Sequence, residues 1–290
     1  MAARRITSGA SPHQRRVPPP LVGTLEGMGS GRHAPRPRKE LRPRRGSESI
    51  PPGATAAAAA AAVGTARAGG FRRGLRRALL ALLLAPPALV LLFRFVPPPV
   101  TPLMLLRAAQ GHGMRQEWVD HARIAPALVH AVIAAEDNRF CEQAFGFDLA
   151  ALSGQARAAL RGERPRGAST ITMQVAKNLF LWPGRDPVRK ALEAWLTPQI
   201  ALLWPKRRVL EVYLNVVEFG PGVYGAEAAA RAYFGRPAAA LTAPQAARLA
   251  VVLPSPLERS AAEPDPHLRA RAETIRRRVG ELGPLLACAG

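Results

Sequence analysis

The segment IAPALVHAVIAAED, residues 124–137, decides the fold. From Ile124 to Ala135 it is almost wholly apolar, which predicts a helix that is buried on most of its sides. Apolar residues recur at helical spacing downstream, and no alternation with a period of two residues lasts long enough to indicate a sheet. This spacing predicts further helices within residues 188–203, 206–217, 226–233, 243–253 and 267–282. Residues 98–290 are therefore predicted to form one mainly α domain, which is long enough for a well-buried core.

The N-terminal region, residues 1–77, differs in composition from the helical part. It contains 16 Lys and Arg against three Glu, so it carries +13 of the chain's net charge of +21. Because it has few large apolar side chains to offset the entropy of ordering, it is predicted to be a disordered basic tail. A basic tail suits either nucleic acid, through counterion release, or an anionic membrane surface. Since this tail directly precedes an apolar segment, we favour the membrane and expect no nucleic-acid partner.

The apolar segment ALLALLLAPPALVLLF, residues 78–93, is uncharged and is followed by Arg94. As a helix it rises about 24 Å, and if Arg94 reaches the interface the span approaches the roughly 30 Å of a hydrocarbon core. We therefore predict a single transmembrane anchor over residues 78–97. The arginines on its N-terminal side, within residues 72–77, place the tail in the cytoplasm and the helical domain on the opposite side. A cleaved signal peptide and the buried helix of a soluble protein are the alternatives.

The residues that can carry chemistry fall into three short stretches. Glu136 and Asp137 end the first apolar helix, where partial desolvation raises a carboxyl pKa and makes the group a better base near neutral pH. Two further stretches, 166–181 and 185–193, combine polar and basic side chains with a second glutamate. Their candidate residues are Ser169, Gln174, Lys177 and Asn178, then Arg185, Arg189, Lys190 and Glu193.

Each stretch alone also has a plain structural explanation. An acidic helix end is usually solvated, and a Ser-Thr pair at a helix start is usually a cap. Arg189 and Lys190 lie four and three residues before Glu193, which fits an ordinary ion pair on a helix surface. Taken together, two carboxylates and a basic cluster are compatible with transfer of a glycosyl group from a phosphate leaving group.

The two cysteines, Cys141 and Cys288, are too few for a disulfide framework or a cysteine metal site. One bridge between them is compatible with an oxidising compartment, and the sequence leaves that pairing open. The six histidines have no ligand-like spacing, so we predict no metal site formed by the protein.

In this order the stretches resemble the peptidoglycan glycosyltransferase family. That family comprises the glycosyltransferase domain of class A penicillin-binding proteins and the monofunctional biosynthetic transglycosylases. The resemblance covers about residues 100–260 in five ordered blocks. The blocks are Glu136-Asp137-x-x-Phe140 with Gly146, Gly167-Ala-Ser-Thr-Ile-Thr-Met-Gln174-x-x-Lys177-Asn178, Arg189-Lys190-x-x-Glu193, Lys206-x-x-x-Leu210-Glu211-x-Tyr213-Leu214-Asn215, and Ala228-Ala-Ala-x-x-Tyr233-Phe234-Gly235. Two positions depart from the family pattern: a segment that usually carries His reads Gln143-Ala-Phe-Gly146, and the usual Gln-Gln pair is Met173-Gln174.

The resemblance implies a lysozyme-like, mainly α glycosyltransferase domain after one N-terminal transmembrane helix, in the bacterial inner membrane with the domain in the periplasm. It implies polymerisation of lipid II into glycan strands, with inversion at the donor anomeric carbon and release of undecaprenyl diphosphate. Glu136 matches the general base for the acceptor 4-hydroxyl, and Glu193 matches the second catalytic glutamate, on the donor side. The candidates for contacting the pyrophosphate are Ser169, Gln174, Lys177, Arg185, Arg189 and Lys190.

The resemblance also suggests that Mg²⁺ or Mn²⁺ shares in neutralising the pyrophosphate, although the sequence does not require a metal. Expected partners are lipid II, the growing glycan strand, the membrane, and other cell-wall synthesis or division proteins. No serine is followed by Lys three positions later, so we expect a monofunctional enzyme without transpeptidase activity. The rival interpretations are a lysozyme-like hydrolase or lytic transglycosylase, and a non-catalytic scaffold with the same fold.

Overall fold

The computed structural model describes residues 73–81, 83–163, 169–184 and 186–289. Among these residues, helix α1 (Arg73–Phe93) is the one that is long and apolar enough to cross a membrane. It covers most of the predicted anchor, residues 78–97, and begins earlier, within the last residues of the predicted tail. The rest of that tail, residues 1–72, lies outside the described residues.

After α1 the described chain is a helical domain, which confirms the predicted mainly α class. Asp and Thr side chains cap several of its helices by accepting the first free backbone N–H groups, as Asp148 does for α4 and Asp186 for α6. The helices are α2 (Pro102–Ala109), α3 (Pro126–Glu136), α4 (Leu149–Leu160), α5 (Ile171–Phe180), α6 (Pro187–Leu203), α7 (Lys206–Val216), α8 (Ala226–Phe234), α9 (Ala243–Val252) and α10 (Pro266–Leu282).

Helix α3 is the most apolar part of the core. It packs against α9 and α10, and Leu128, Val132 and Ile133 are fully buried because the helix is apolar around most of its circumference. Helix α5 packs against α6 and α7 in the neighbouring part of the core. The C-terminal end of α3 lies beside α5, because Glu136 and the following Asp137 accept hydrogen bonds from residues of α5.

Three short strands form a small sheet that the sequence did not predict. They are β1 (Arg115–Gln116), β2 (Glu218–Gly220) and β3 (Val223–Tyr224), in the order β1-β3-β2. Strand β3 pairs in parallel with β1 and antiparallel with β2. Strands of two or three residues are too short to show an alternation of polar and apolar side chains, so their sequence carries no periodic signal.

A disulfide joins Cys141 to Cys288, with a Cα–Cα distance of 5.5 Å. Cys141 lies in the turn Phe140–Glu142, just after the end of α3, and Cys288 lies near the C-terminus. The bridge spans 147 residues of sequence, which is why composition alone left the pairing open.

Candidate active site

Glu136 is the last residue of α3 and is half-buried at the end of that apolar helix. The Gln174 amide donates a hydrogen bond of 2.8 Å from Nε2 to Glu136 Oε2. Gln174 is itself oriented, because the buried Tyr213 hydroxyl donates to its Oε1 over 2.8 Å. With its oxygen turned to Tyr213, the amide presents N–H groups to the carboxylate. A neutral donor therefore holds Glu136 in one orientation.

Burial raises the pKa of Glu136 above its ordinary value of 4.5. The amide bond from Gln174 opposes this rise. The positive charges of Lys177, Arg271 and Arg259 oppose it as well. Because burial prevails, Glu136 accepts a proton more readily than an exposed glutamate, which is the property that a general base needs near neutral pH.

Asp137, the residue after Glu136, is buried and fastens α3 to α5. Its Oδ2 accepts a 3.0 Å bond from the backbone N–H of Ile171, the first residue of α5. Its Oδ1 accepts a 2.6 Å bond from Gln143 Nε2. Burial raises the pKa of Asp137 to about 6, although these bonds and the charge of Lys206 act in the opposite direction. Asp137 therefore fixes the end of α3 relative to the helix that carries Gln174.

Glu193 lies in α6, and its side chain is only 2% exposed. Arg189 Nη1 donates to its Oε2 over 2.9 Å, and Lys190 Nζ donates to its Oε1 over 2.8 Å. Both cations thus turn toward this carboxylate, as their helical spacing suggests. Arg189 is buried, whereas the Lys190 side chain is half exposed and can reach a bound anion.

Lys177 lies on α5, one turn after Gln174. Burial lowers its pKa, while the charges of Glu193 and Glu136 act to raise it. Lys177 also lines a groove of about 230 Å³, together with Gln174 and Arg107. One side of the groove is therefore formed by α5, which contributes the amide of Gln174 and the cation of Lys177.

A larger cavity, of about 430 Å³, lies among residues 139–150. There Arg139 already pairs with Glu142 at 2.8 Å and with Asp148 at 3.9 Å. Because its cation is neutralised by two acids, this cavity suits an anionic substrate less well than the groove beside Lys177. We therefore place the candidate site in the smaller groove.

Two predicted contact residues are not among the residues described so far. Ser169 is exposed directly before α5, and its neighbour Thr170 caps the helix by accepting from Met173 N over 3.2 Å. Arg185 lies outside the described residues. The residues that the structure does gather around α5 and α6 are Glu136, Gln174, Lys177, Arg189, Lys190 and Glu193.

Three residues that organise the site stand in the sequence motifs but were not predicted as site residues: Tyr213, Asp137 and Lys206. Lys206 Nζ donates to the carbonyl oxygens of Phe140 and Gln143, at 2.6 Å each, and so ties the segment after Glu136 to α7. Tyr213 shares the buried face of α7 with apolar residues. Besides the family block, the signal for Tyr213 was a hydroxyl in an otherwise apolar stripe, because a buried hydroxyl needs a partner.

No group of three or more His, Cys, Asp or Glu side chains among the described residues is arranged to hold a metal ion. Both oxygens of Glu193 already accept hydrogen bonds from cations. These residues therefore do not fit an all-protein metal cage. Mg²⁺ usually binds through a few carboxylates plus substrate phosphates, so an ion at this site would depend on the substrate for most of its ligands.

A helical domain with a half-buried glutamate beside a cation-lined groove has the features of an enzyme that transfers glycosyl groups to or from a phosphate. A family model described as "Transglycosylase" matches residues 104–280, and the chain belongs to that family. This match confirms the family resemblance and the lysozyme-like helical class predicted from the motifs.

Three relatives named "Biosynthetic peptidoglycan transglycosylase" are similar to this chain. The one from Caulobacter vibrioides is 51% identical over 189 residues, covering 65% of this chain and 82% of the relative. The one from Aeromonas hydrophila is 48% identical over 198 residues, covering 67% of this chain and 84% of the relative. The one from Rhodospirillum centenum is 51% identical over 188 residues, covering 64% and 81%.

Proposed function

We propose that the chain is a monofunctional peptidoglycan glycosyltransferase, which polymerises lipid II into glycan strands and releases undecaprenyl diphosphate. The observation that carries the proposal is the arrangement on α5, where Gln174 bonds the half-buried Glu136 and lines a groove together with the cation of Lys177. The family and the names of the relatives support the same reaction and substrate.

On the acceptor side, Glu136 acts as the general base. It takes the proton of the acceptor 4-hydroxyl as that oxygen attacks the donor anomeric carbon. The bond from this carbon to the diphosphate oxygen breaks as the new bond forms, so the configuration inverts. Gln174 supports this step because it orients the Glu136 carboxylate without adding a charge that would weaken it as a base.

On the donor side, the departing diphosphate gains negative charge, and cations that are already in place lower the barrier. Lys177 supplies an ammonium group in the groove, and the half-exposed Lys190 supplies a second one from α6. Buried Glu193 holds Lys190 and Arg189 in position, which is the physical basis of its role on the donor side. Ser169 and Arg185 are proposed as further diphosphate contacts on the strength of the family motifs.

Polymerisation of fluorescent lipid II by the purified full-length protein tests the proposal. Glu136→Gln keeps the size of the side chain but removes the base, so we expect the rate to fall by about a thousandfold. Glu142→Gln is the matched control, since Glu142 is an exposed acid that bonds Arg139, and it should retain wild-type activity. Full activity of Glu136→Gln would remove Glu136 from this role. Release of soluble muropeptides from purified peptidoglycan, without polymer formation, would favour the hydrolase instead.

We also infer that α1 anchors the domain in the bacterial inner membrane with the groove on the periplasmic side. The arginines at the N-terminal end of α1 favour a cytoplasmic start. The Cys141–Cys288 disulfide supports an oxidising compartment for the domain, because disulfides persist in the periplasm and are rare in the cytosol. Protease added to spheroplasts should digest the domain, and protection of the domain would contradict this orientation.

The roles of a divalent cation and of protein partners are proposed only from the resemblance. Polymerisation measured with excess EDTA and then with added Mg²⁺ or Mn²⁺ tests the cation, and a loss that metal restores is the expected result. Cross-linking in cells tests contact with other cell-wall synthesis or division proteins.

A further inference from the structure

The end of α1 is bonded to the catalytic domain through its last backbone carbonyls. A helix leaves its final four C=O groups without partners inside the helix. Trp204 Nε1 donates to Val90 O over 2.7 Å. The Arg208 guanidinium donates to Phe93 O over 2.8 and 3.1 Å and to Val96 O over 2.9 Å. Side chains more than a hundred residues away in sequence thus complete the C-terminal end of α1.

The attachment is reciprocal. Arg94, the residue after α1, donates from Nη1 to the carbonyl of Leu203, the last residue of α6. Arg94 and Arg208 each bring a positive charge to the C-terminal end of a helix, where the backbone dipole favours it. The C-terminal end of α1 is therefore bonded by Arg208 of α7, and the C-terminal end of α6 is bonded by Arg94, which follows α1.

The Arg208 side chain is also held in place by contacts with residues outside α1. It forms an ion pair with Glu211, one turn further along α7, and its guanidinium carbon lies 5.4 Å from the centre of the Trp118 ring. Its side chain is only 12% exposed. The planar guanidinium has five donors in a rigid fork, so it can bond a carboxylate and two carbonyls at once, which a lysine cannot do with the same geometry.

The same junction touches both helices that carry the candidate site. The Phe93 ring packs against Phe180, with ring centres 6.1 Å apart, and Phe180 ends α5 one turn after Lys177. Leu203, which accepts the bond from Arg94, ends α6, the helix of Glu193. The junction therefore holds α1 against the ends of the two helices that carry the candidate site residues.

We propose that Arg208, assisted by Trp204, is a positioning residue that clamps the membrane helix to the catalytic domain and sets the height and orientation of the groove over the leaflet. The proposal rests on the proposed function, in which both substrates are held in that leaflet by polyprenyl chains. A domain tethered in the same leaflet meets them at a high effective concentration only if the groove faces them correctly. The clamp supplies that restraint where the chain leaves the membrane.

The test measures polymerisation by the full-length protein in liposomes with two different lipid II substrates. One substrate is polyprenyl lipid II embedded in the same liposomes, and the other is a water-soluble lipid II analogue with a short chain. Arg208→Gln should reduce the rate on embedded lipid II about tenfold, because a small misplacement costs a large factor in rate. Its rate on the soluble analogue should stay within about twofold of wild type, because the groove itself is unchanged.

Two further variants show whether the effect of Arg208→Gln comes from the bonds to α1 or from the loss of a positive charge. Arg207→Gln removes the same charge from an exposed neighbour on α7 and should match wild type with both substrates. Trp204→Phe removes the bond to Val90 together with part of a buried ring but leaves Arg208 in place, so it should show a smaller loss, confined to embedded lipid II. Equal losses of Arg208→Gln on both substrates, no loss on either, or the same loss in Arg207→Gln would each overturn the proposal.

Hydrogen–deuterium exchange in the same liposomes gives a readout that does not depend on activity. The backbone N–H groups of Arg94, Phe95 and Val96 are bonded to carbonyls of the last turn of α1. Arg208→Gln should speed their exchange, and unchanged exchange would refute the clamp. If the wild-type protein polymerised neither substrate, the proposed function would fail, while the exchange data would still decide the clamp.

Discussion

Replacing Gln174 by Met tests whether a neutral amide tunes the proposed base. Met has a similar length and shape but cannot donate to Glu136 Oε2. The lost bond stabilised the ionised carboxylate, so its removal favours the protonated form and raises the pKa of Glu136 further, in the same direction as burial. Since the base must be ionised to act, the acidic limb of the kcat/KM profile should move to higher pH.

The size of the effect follows from the kind of bond that is lost. A hydrogen bond to a charged group contributes roughly 1.5–3 kcal/mol, and each 1.36 kcal/mol or so corresponds to a factor of ten. At a fixed pH on the acidic limb, kcat/KM for lipid II should therefore fall about ten- to a hundredfold. On the alkaline side of the limb, where Glu136 is ionised in both proteins, the loss should be much smaller.

The assay is the pH dependence of kcat/KM for lipid II polymerisation, which reports the ionisation of the free enzyme. Gln199→Met is the matched control, because Gln199 donates to the backbone of its own helix at Trp195. Its profile should overlay that of wild type. An acidic limb of Gln174→Met that stays in place, or moves to lower pH, would refute the role given to the amide.

A double variant separates the pH effect from a loss of stability. Gln174→Met leaves the buried Tyr213 hydroxyl without its acceptor, which costs about 1–3 kcal/mol of folding stability. Tyr213→Phe added to Gln174→Met removes that orphaned group, so the melting temperature should recover toward wild type. The shifted acidic limb should persist, because the donor to Glu136 is still missing. Recovery of the pH profile together with the stability would mean that the single variant acted through folding alone.

Two further predictions concern backbone and covalent restraints near the site. Gly146→Ala should lower the melting temperature and the polymerisation rate, because the backbone φ of Gly146 is +76° and an added Cβ would lie 2.9 Å from a methyl group of Thr197. The control is Gly154→Ala, which adds a Cβ in open space within α4 and should be neutral or slightly stabilising. The Cys141–Cys288 bridge closes a loop of well over a hundred residues, for which the chain-entropy model gives about 5 kcal/mol, so a reductant should markedly lower the melting temperature. The double Cys→Ser variant should melt at that lower temperature with or without reductant, and a reductant-sensitive melt of this variant would contradict the assignment.

The part of the fold that depends on local pattern could be predicted from the sequence. Helix α3 was expected within residues 124–135 and runs from Pro126 to Glu136, because an uninterrupted apolar run has few alternatives to a buried helix. The bonds of Arg189 and Lys190 to Glu193 also follow from spacing along one helix. In both cases the partners are within one helix or one turn of each other.

The rest depends on contacts between residues that are distant in sequence. The Tyr213 bond to Gln174 joins residues 39 positions apart, and the bond of Arg208 to Phe93 joins residues 115 apart. Neither has a local signature, since each polar group alone is compatible with a solvated side chain. Such partners follow from how helices pack, which spacing along one helix does not specify.

The different partners of the two glutamates explain why one of them is suited to be a base. Both oxygens of Glu193 accept bonds from cations, so this carboxylate is occupied in holding Arg189 and Lys190. Glu136 accepts at Oε2 from a neutral amide, and no described residue hydrogen-bonds its Oε1. A cation at the position of Gln174 would orient Glu136 equally well but would lower its pKa and weaken it as a base. By placing the amide against the base and the cation of Lys177 one turn further along, α5 separates proton transfer from stabilisation of the leaving group.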